Sequence, residues 1–296
     1  LMALRSNFKH VSDVLQEGVD TDGGYLVPDE YDSRLIDVLS EQNIMRQLGT
    51  IITTSGEHKI NIAATKPAAL WVEEGGALTF GDATFSQIIM DAHKLHVAIK
   101  ITNELLYDNA FNLESYILDQ FGKALANTEE DAFLNGDGKG KPLGLFAETG
   151  GGQATAVTSG ANISADDIIS LVYTLKRPYR QNAKFILNDQ TISSIRKLKD
   201  NNGAYMWQPS VQAGEPDRLF GYEVYTSAYA PLAEAGKPAV AFGDFSYYNI
   251  GDRGTRSFQE LKELFAGNDM TGYIAKERVD GKLVLPEAVQ ILKMKA

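Results

Sequence analysis

The glycine-rich segment Asp131–Leu145 comes closer to a chemical site than any other part of this sequence. It reads DAFLNGDGKGKPLGL, with glycines at 136, 138, 140 and 144 and lysines at 139 and 141. Glycine backbones can approach a ligand closely and lysines attract phosphate, so the segment is a candidate phosphate-binding loop. The same residues are typical of a turn that ends a helix, because Gly136 lies where a C-cap glycine belongs and Pro142 stops the helix from resuming.

The phosphate interpretation lacks three features of known phosphate-binding loops. A Walker-type loop ends in Gly-Lys-Ser/Thr, whereas Gly140-Lys141 is followed by Pro142, so the hydroxyl that binds Mg²⁺ is missing. A dinucleotide-binding G-x-G-x-x-G motif would require a glycine where Lys141 stands. The segment also follows a helix rather than a strand, so no new helix N-terminus faces a phosphate. The sequence therefore favours a structural turn over a phosphate-binding enzyme.

Acidic residues at the same helix end could indicate a calcium site. They are Glu129, Glu130, Asp131 and Asp137. A calcium loop of the EF-hand type needs acids at alternate positions and a closing glutamate at position twelve, which here is Pro142. We therefore expect these acids to form a solvated helix face.

The remaining reactive residues do not combine into a catalytic or metal site. His93 and His96 are three apart on a predicted strand, which places them on opposite faces, and His10 and His58 are isolated. The chain has no cysteine and no H-E-x-x-H or G-x-S-x-G motif. No nucleophile, base and orienting group come together, so we expect no catalytic, cofactor-binding or metal-binding residues and no enzyme activity.

Composition sets the class of protein. The 296 residues are 44% hydrophobic and 23% charged, as in one large globular domain or two smaller ones. No run approaches the ~20 apolar residues of a membrane span and the N-terminus lacks a signal-peptide core, so we expect a soluble protein. The net charge of −11, without a dense run of lysine and arginine, argues against a protein that grips nucleic acid.

The segments before residue 102 are predicted to form an arm, a helix and a hairpin. The first ~25 residues form a polar arm with a short helix around Asn7–Leu15, and a helix follows Pro28. Apolar residues alternate in Ile51–Thr65 and Ile88–Ile101, which predicts two long strands of one hairpin. An isolated hairpin is marginal in water, so a long one is a candidate for lying on another surface, such as a neighbouring subunit.

A long helix and a mixed α/β region complete the predicted elements. Asn112 begins a helix to Asn135, with apolar residues at intervals of three and four over more than five turns. Ser164 and Asp167 form a capping box for a helix through Lys176. Further predictions are a strand at Lys184–Leu187, a helix at Gln190–Lys199, and strands at Gly221–Tyr225, Ala239–Phe242, Tyr247–Phe258, Thr271–Val279 and Val284–Leu292.

Four segments resemble one known family. GGYLVPDEYDSRLIDVLSEQNIMRQLG (Gly23–Gly49) is similar to the start of the ordered region in major capsid proteins of tailed bacteriophages of the Hong Kong 97 type. ANTEEDAFLNGDGKGKPLGL (Ala126–Leu145) resembles the end of that family's spine helix. FILNDQTISSIRKLKDNNGAYMW (Phe185–Trp207) and RLFGYEVYTS (Arg218–Ser227) resemble a later strand, helix, turn and strand of the family. The segments are in the family's order and span nearly the whole chain.

The resemblance implies an α+β capsid fold with an axial domain, a peripheral domain with a long spine helix, an extended β-hairpin loop and an N-terminal arm. By position, residues 1–49 would be the arm and first helix, 50–101 the extended loop, and 102–160 the peripheral domain with the spine helix. Residues 161–244 would be the axial domain, 245–281 the peripheral strands, and 282–296 the C-terminal axial strand.

The resemblance also implies a function. Such proteins form hexamers and pentamers that close an icosahedral shell around double-stranded DNA, so the expected location is the virion, with assembly in the host bacterial cytoplasm. The implied partners are other copies of the chain, a portal, a scaffold or maturation protease, and decoration proteins, with no membrane and no sequence-specific DNA contact. A chain that starts at Leu1 suits a form processed by that protease, although trimming would give the same start. An encapsulin-like compartment that holds a protein cargo shares this fold and remains open as an alternative.

Some family members join their subunits by a Lys–Asn isopeptide bond that a glutamate assists. Here the lysine position falls near Leu78, and the nearest lysine, Lys66, is out of register. Asn268 or Asp269 could occupy the asparagine position, but Lys276 falls where the glutamate is expected. We therefore expect no autocatalytic cross-linking.

Overall fold

The computed structural model describes residues 43–56, 58–63, 85–107, 113–199 and 218–296. Several predictions lie outside these residues: the N-terminal arm, the helix after Pro28, the tip of the hairpin, the Asn112 cap and the turn after residue 199. In the described part of the chain, no helix is long and apolar enough to cross a membrane.

The described residues form six α-helices, thirteen strands and three short 3₁₀ turns. The helices are α1 (Ile44–Leu48), α2 (Asn103–Tyr107), α3 (Leu113–Asn135), α4 (Ala165–Thr174), α5 (Arg177–Arg180) and α6 (Asp189–Arg196). The first seven strands are β1 (Thr50–Thr54), β2 (His58–Ala63), β3 (Phe85–Met90), β4 (His93–Thr102), β5 (Gln153–Val157), β6 (Lys184–Leu187) and β7 (Arg218–Leu219). The others are β8 (Tyr222–Thr226), β9 (Pro238–Gly243), β10 (Tyr248–Arg253), β11 (Ser257–Leu261), β12 (Met270–Leu283) and β13 (Val289–Lys293).

The strands form two large sheets and one hairpin. In the five-stranded sheet, β12 is central: β10 and β11 pair with one of its edges, β4 pairs antiparallel with the other, and β1 runs parallel to β10. The six-stranded sheet has the order β5-β13-β9-β6-β8-β7. The hairpin is β2 with β3, in register from His58 opposite Met90 to Ala63 opposite Phe85.

Helix α3 crosses from one core region to another. Its first half buries Ile117, Phe121 and Leu125 against Phe258 and other residues of the five-stranded sheet. Its last turn buries Phe133 and Leu134 in a cluster that also contains β6, β9 and β13 residues of the six-stranded sheet. The helix predicted from the three/four spacing therefore connects the two sheets.

A third core lies under the six-stranded sheet and belongs to the mixed α/β region. Helix α4 begins with the predicted capping box, in which Ser164 Oγ accepts from the Asp167 amide and the Asp167 carboxylate accepts from the Ser164 amide. The helix ends at Thr174 rather than Lys176. The reason is Pro178, which has no amide donor and whose ring would collide with the Thr174 carbonyl if the helix continued.

The predicted long hairpin is wrong in its extent. The strand predicted over Ile51–Thr65 is divided at Ser55–Gly56 into β1 and β2, and that over Ile88–Ile101 is divided at Asp91–Ala92 into β3 and β4. Only β2 and β3 pair with each other, while β1 and β4 belong to the five-stranded sheet. Alternation of apolar residues indicates that one face of a strand is buried, but it does not identify the partner strand. The pattern therefore did not reveal these breaks.

Two further strand predictions differ from the structure, and one strand was not predicted. The strand predicted over Tyr247–Phe258 is two strands, because the chain turns at Gly254 with a φ of +71°. The strand predicted from Val284 begins only at Val289, after the 3₁₀ turn Pro286–Ala288. Strand β5, which falls in the segment assigned to the peripheral domain, pairs with β13 in the six-stranded sheet.

Candidate functional site

The glycine-rich segment folds into a turn that returns to the end of α3. Gly138 and Gly140 have φ values of +75° and +69°, which favour glycine. Gly136 is required for a different reason: a Cβ there would lie 2.0 Å from the Pro142 carbonyl oxygen and 2.4 Å from that of Ala132. The predicted helix stop is therefore present. Gly138 and Gly140 adopt left-handed backbone conformations, and Gly136 allows two backbone segments to approach closely.

The returning chain supplies hydrogen-bond donors for the last carbonyls of α3. The Gly136 amide donates to Ala132 O at 2.8 Å, that of Leu145 to Phe133 O at 2.8 Å, and that of Phe146 to Leu134 O at 2.9 Å. A helix leaves its last four carbonyls without partners inside the helix, and these bonds satisfy three of them.

The lysines of the turn lie beside a carboxylate. Lys141 Nζ is 3.7 Å from Asp137 Oδ1, and the Lys139 amide donates to the same oxygen at 3.2 Å. This amide lowers the pKa of Asp137, and Lys141 adds to the effect. The side chain of Lys141 is therefore paired with a carboxylate, whose negative charge would repel a phosphate.

The prediction of a solvated acidic face on α3 is wrong for two of the acids. Glu129 and Glu130 are 1% and 5% exposed. Arg46 of α1 binds both oxygens of Glu129, with Nη2–Oε1 at 2.6 Å and Nε–Oε2 at 2.7 Å. The Ser227 hydroxyl donates to Glu130 Oε1, and the Ile44 amide donates to Glu130 Oε2 at 3.4 Å. Burial raises the pKa of Glu130, and these two bonds oppose the rise.

Hydrogen bonds connect the Arg46–Glu129 pair to charged residues of β10, β12 and the turn between β10 and β11. Arg46 also binds both Asp252 oxygens at 3.0 Å. Arg256 then donates to Asp252 Oδ2 at 2.9 Å and to Glu277 Oε2 at 3.0 Å. Burial alone would raise the pKa of Asp252, but the two arginines hold it below its usual value. We call these five residues, Arg46, Glu129, Asp252, Arg256 and Glu277, the charge cluster.

A signal for the buried glutamate is present in the sequence. Glu129 is four residues from both Leu125 and Phe133, so it stands within the apolar stripe of α3. Arg46, Asp252, Arg256, Glu277 and Ser227 were not singled out from the sequence. They carry no local pattern, and Arg46 is 83 residues from Glu129.

A second group of polar contacts fixes the base of the β2–β3 hairpin to the five-stranded sheet. The buried Asp280 carboxylate accepts from the Asp91 amide at 2.9 Å, and Lys282 Nζ donates to Ile89 O at 2.6 Å. Met90 is 2% exposed and lies over Gly251, where a Cβ would be 3.0 Å from the Met90 Cε. The hairpin is therefore anchored where β3 leads into β4.

The described histidines are separate from one another. His93 and His96 lie on β4 opposite Val279 and Lys276, respectively, and His93 Nε2 is 3.8 Å from Asp280 Oδ1. His58 begins β2, and His10 is outside the described residues. Within those residues, no group of three or more histidine and acidic side chains could hold a metal ion.

Of the positions considered for cross-linking, Lys66 and Leu78 lie outside the described residues. Asn268 ends a 3₁₀ turn, and Asp269 follows it with a φ of +50°. Lys276 lies on β12 with Nζ 3.4 Å from Gln259 Oε1.

Comparison with known proteins gives a match over most of the chain. The model of the phage capsid family matches residues 23–294. The chain is 26% identical over 275 residues to the major capsid protein of Klebsiella oxytoca phage phiKO2, a match that covers 88% of this chain and 61% of that protein. It is 28% identical over 126 residues to the major capsid protein of Enterobacteria phage HK97, covering 43% of this chain and 32% of that protein.

A solved structure extends the match to the fold. The capsid of a native GTA particle, computed with C5 symmetry, has a TM-score of 0.77 and 27% identity, and the match covers 99% of this chain and 100% of that one. The chain therefore spans the whole of this structural relative, but about three fifths or less of the two phage proteins.

Proposed function

The chain belongs to the phage capsid family, and from that membership we propose that it is a major capsid protein of a tailed bacteriophage or prophage. It assembles as hexamers and pentamers into an icosahedral shell. The observation that carries this proposal is the match of 99% of the chain, in sequence and fold, to a capsid with five-fold symmetry. Closed rings of identical subunits need two different, complementary surfaces on each subunit.

The hairpin supports an assembly role. Within the described residues, strands β2 and β3 pair only with each other. The side chains of Lys59, Asn61, Gln87 and Ile89 on these strands are exposed. A two-stranded hairpin is marginally stable at best in water. Its anchored base and exposed strands fit an arm that gains its stability from a neighbouring subunit.

The two sheets support the proposed division into domains. We assign the six-stranded sheet with α4, α5 and α6 to the axial domain, and the five-stranded sheet with α3 to the peripheral domain. The β2–β3 hairpin is the extended loop. The last turn of α3 and its glycine-rich turn lie at the junction, because Phe133 packs in the cluster that both sheets share.

The shell encloses double-stranded DNA without sequence-specific contacts and without isopeptide cross-links, and we assign no catalytic activity to it. A net charge of −11 disfavours tight binding of a polyanion. Purified capsomers should therefore not retain duplex DNA at ~0.15 M salt. The particle is the virion capsid, assembled in the host cytoplasm with a portal, a scaffold or maturation protease, and decoration proteins as partners.

Light scattering coupled to size-exclusion chromatography tests the proposal. We expect masses of five or six copies, or of larger closed assemblies. A protein that stays monomeric at every concentration and salt condition at which it is soluble would contradict it.

A further inference from the structure

The turn between β7 and β8 carries an aromatic side chain on a strained backbone. The two strands pair up to Leu219 and Tyr222, so Phe220 and Gly221 alone form the turn. Their φ values are +50° and +88°. A two-residue hairpin turn with positive φ at both positions is usually built from asparagine, aspartate or glycine. A bulky phenylalanine in the first position is therefore an outlier.

The side chain of Phe220 does not pack into the core. It is 48% exposed and belongs to none of the hydrophobic clusters of the described residues. A Cβ added at the adjacent Gly221 would meet nothing within 4 Å, so the turn projects into solvent. Core packing within the chain therefore gives no reason for a strained phenylalanine here, whereas a contact with another molecule does.

The opposite edge of the same sheet carries an exposed apolar stripe. Among the described strands, the six-stranded sheet ends in β7 on one side and in β5 on the other. Helix α4 packs against β5 and β13, and its residues Ile169 and Tyr173 are 38% and 68% exposed. These residues are four apart and therefore neighbours on one helix face. The Arg180 guanidinium lies over the Tyr173 ring, with Cζ 5.0 Å from the ring centroid.

The charges beside the turn and beside the stripe are opposite in sign. Arg218, two residues before Phe220, is exposed. Asp166, three residues before Ile169 on α4, is also exposed. Residues three apart on a helix share a face, so Asp166 flanks the apolar stripe. A copy that brings Phe220 to the stripe of another copy can therefore pair Arg218 with Asp166 at the edge of the contact.

We propose that the Phe220 turn of one copy packs against Ile169 and Tyr173 on α4 of the next copy in the ring, with Arg218 beside Asp166. The proposal rests on the ring-forming function given above and names a contact between neighbouring six-stranded sheets. The two surfaces differ and lie at opposite edges of one sheet, as a head-to-tail contact repeated around a rotation axis requires.

The substitution Phe220→Asn tests the aromatic side of the contact, because asparagine suits the turn but lacks the ring. Sedimentation velocity over a range of protein concentrations gives the midpoint concentration, at which half of the protein is in rings or larger assemblies. We expect this midpoint to rise by at least about tenfold, since buried aromatic side chains commonly dominate an interface. The melting temperature of the unassembled protein should stay the same or rise, because the backbone strain is relieved.

Two threonine variants test the α4 side of the contact. Ile169→Thr weakens the apolar stripe, whereas Val157→Thr makes a similar change on β5, at the same edge of the sheet. Val157 is 55% exposed but follows the buried Ala156, so it points to the other face of the sheet. We expect Ile169→Thr to raise the midpoint by about fourfold and Val157→Thr to change it by less than about twofold.

Charge reversal tests whether the two surfaces touch. Arg218→Asp and Asp166→Arg should each raise the midpoint by about threefold or more, because each places like charges opposite one another. The two substitutions combined in one chain should return the midpoint to within about twofold of the native value, since opposite charges then meet again.

The outcomes separate this contact from the proposed function. The contact is overturned if Phe220→Asn assembles like the native protein, if Ile169→Thr and Val157→Thr have equal effects, or if the two charge reversals add in the combined variant. Each of these results leaves ring formation by the native protein intact. A native protein that never forms rings contradicts the proposed function, and the contact with it.

Discussion

The guanidinium group of Arg46 lies in a two-point contact with the carboxylate of Glu129, at 2.6 and 2.7 Å, and both side chains are buried. This contact joins the first described helix to the spine helix across 83 residues of sequence. It explains why Glu129 of α3 faces inward, and it places a buried charged contact between α1 and α3.

Removing Arg46 should strongly destabilise the protein. The substitution Arg46→Met keeps much of the side-chain volume but leaves Glu129 and Asp252 buried without their main partner. Breaking a buried pair by removing one member costs about 3–5 kcal/mol. We expect a loss of this size in the free energy of unfolding, measured by urea denaturation.

The matched control for this prediction is Lys262→Met. Lys262 makes an exposed pair with Glu260 at 3.0 Å, and such pairs contribute about 0–1 kcal/mol. Equal losses of unfolding free energy in the two variants would show that the buried contact stabilises the protein no more than the exposed pair does.

Gly136→Ala should disrupt the turn after the spine helix. The added Cβ would lie 2.0 Å from Pro142 O, and neither backbone segment can move without breaking the bonds that end α3. We expect a loss of about 3 kcal/mol or more, or failure to fold. Gly160→Ala is the control, because a Cβ there meets nothing within 4 Å. Similar melting temperatures for the two variants would refute the close-approach argument.

The same turn should have no nucleotide-binding activity. Calorimetric titration of the native protein with Mg²⁺-ATP, and separately with inorganic phosphate, should give no saturable heat. The double variant Lys139→Ala and Lys141→Ala should differ from the native protein only in assembly or stability. Saturable binding that this double variant abolishes would instead favour the phosphate-binding interpretation.

The family and the fold were predictable from the sequence, and the matches over residues 23–294 and to the GTA capsid confirm them. Local sequence signals also predicted the end of the spine helix at Asn135 and the capping box at Ser164. These features depend on neighbours three or four residues apart, and such neighbours can be recognised in a single sequence.

Features that depend on distant residues were not predictable in the same way. The acids of α3 were expected in solvent because their partners, Arg46 and Ser227, are 83 and 97 residues away. The predicted hairpin was too long because apolar residues alternate in β4 as they would in a hairpin strand, although β4 pairs with β12. Neither pairing leaves a pattern within its own segment.

A denaturing gel of mature particles tests the absence of cross-linking. We expect one monomer band, because the glutamate position carries Lys276 and the lysine position carries no lysine. No reducing agent is needed to exclude disulfide-linked multimers, because the chain has no cysteine. A ladder of multimers would refute the prediction.

Electron microscopy of the purified, concentrated protein tests the central claim of shell formation most directly. The account predicts ring-shaped capsomers and closed particles with five-fold vertices, in which each subunit has the fold described above. Only monomers, or only open filaments without five-fold or six-fold rings, would contradict it.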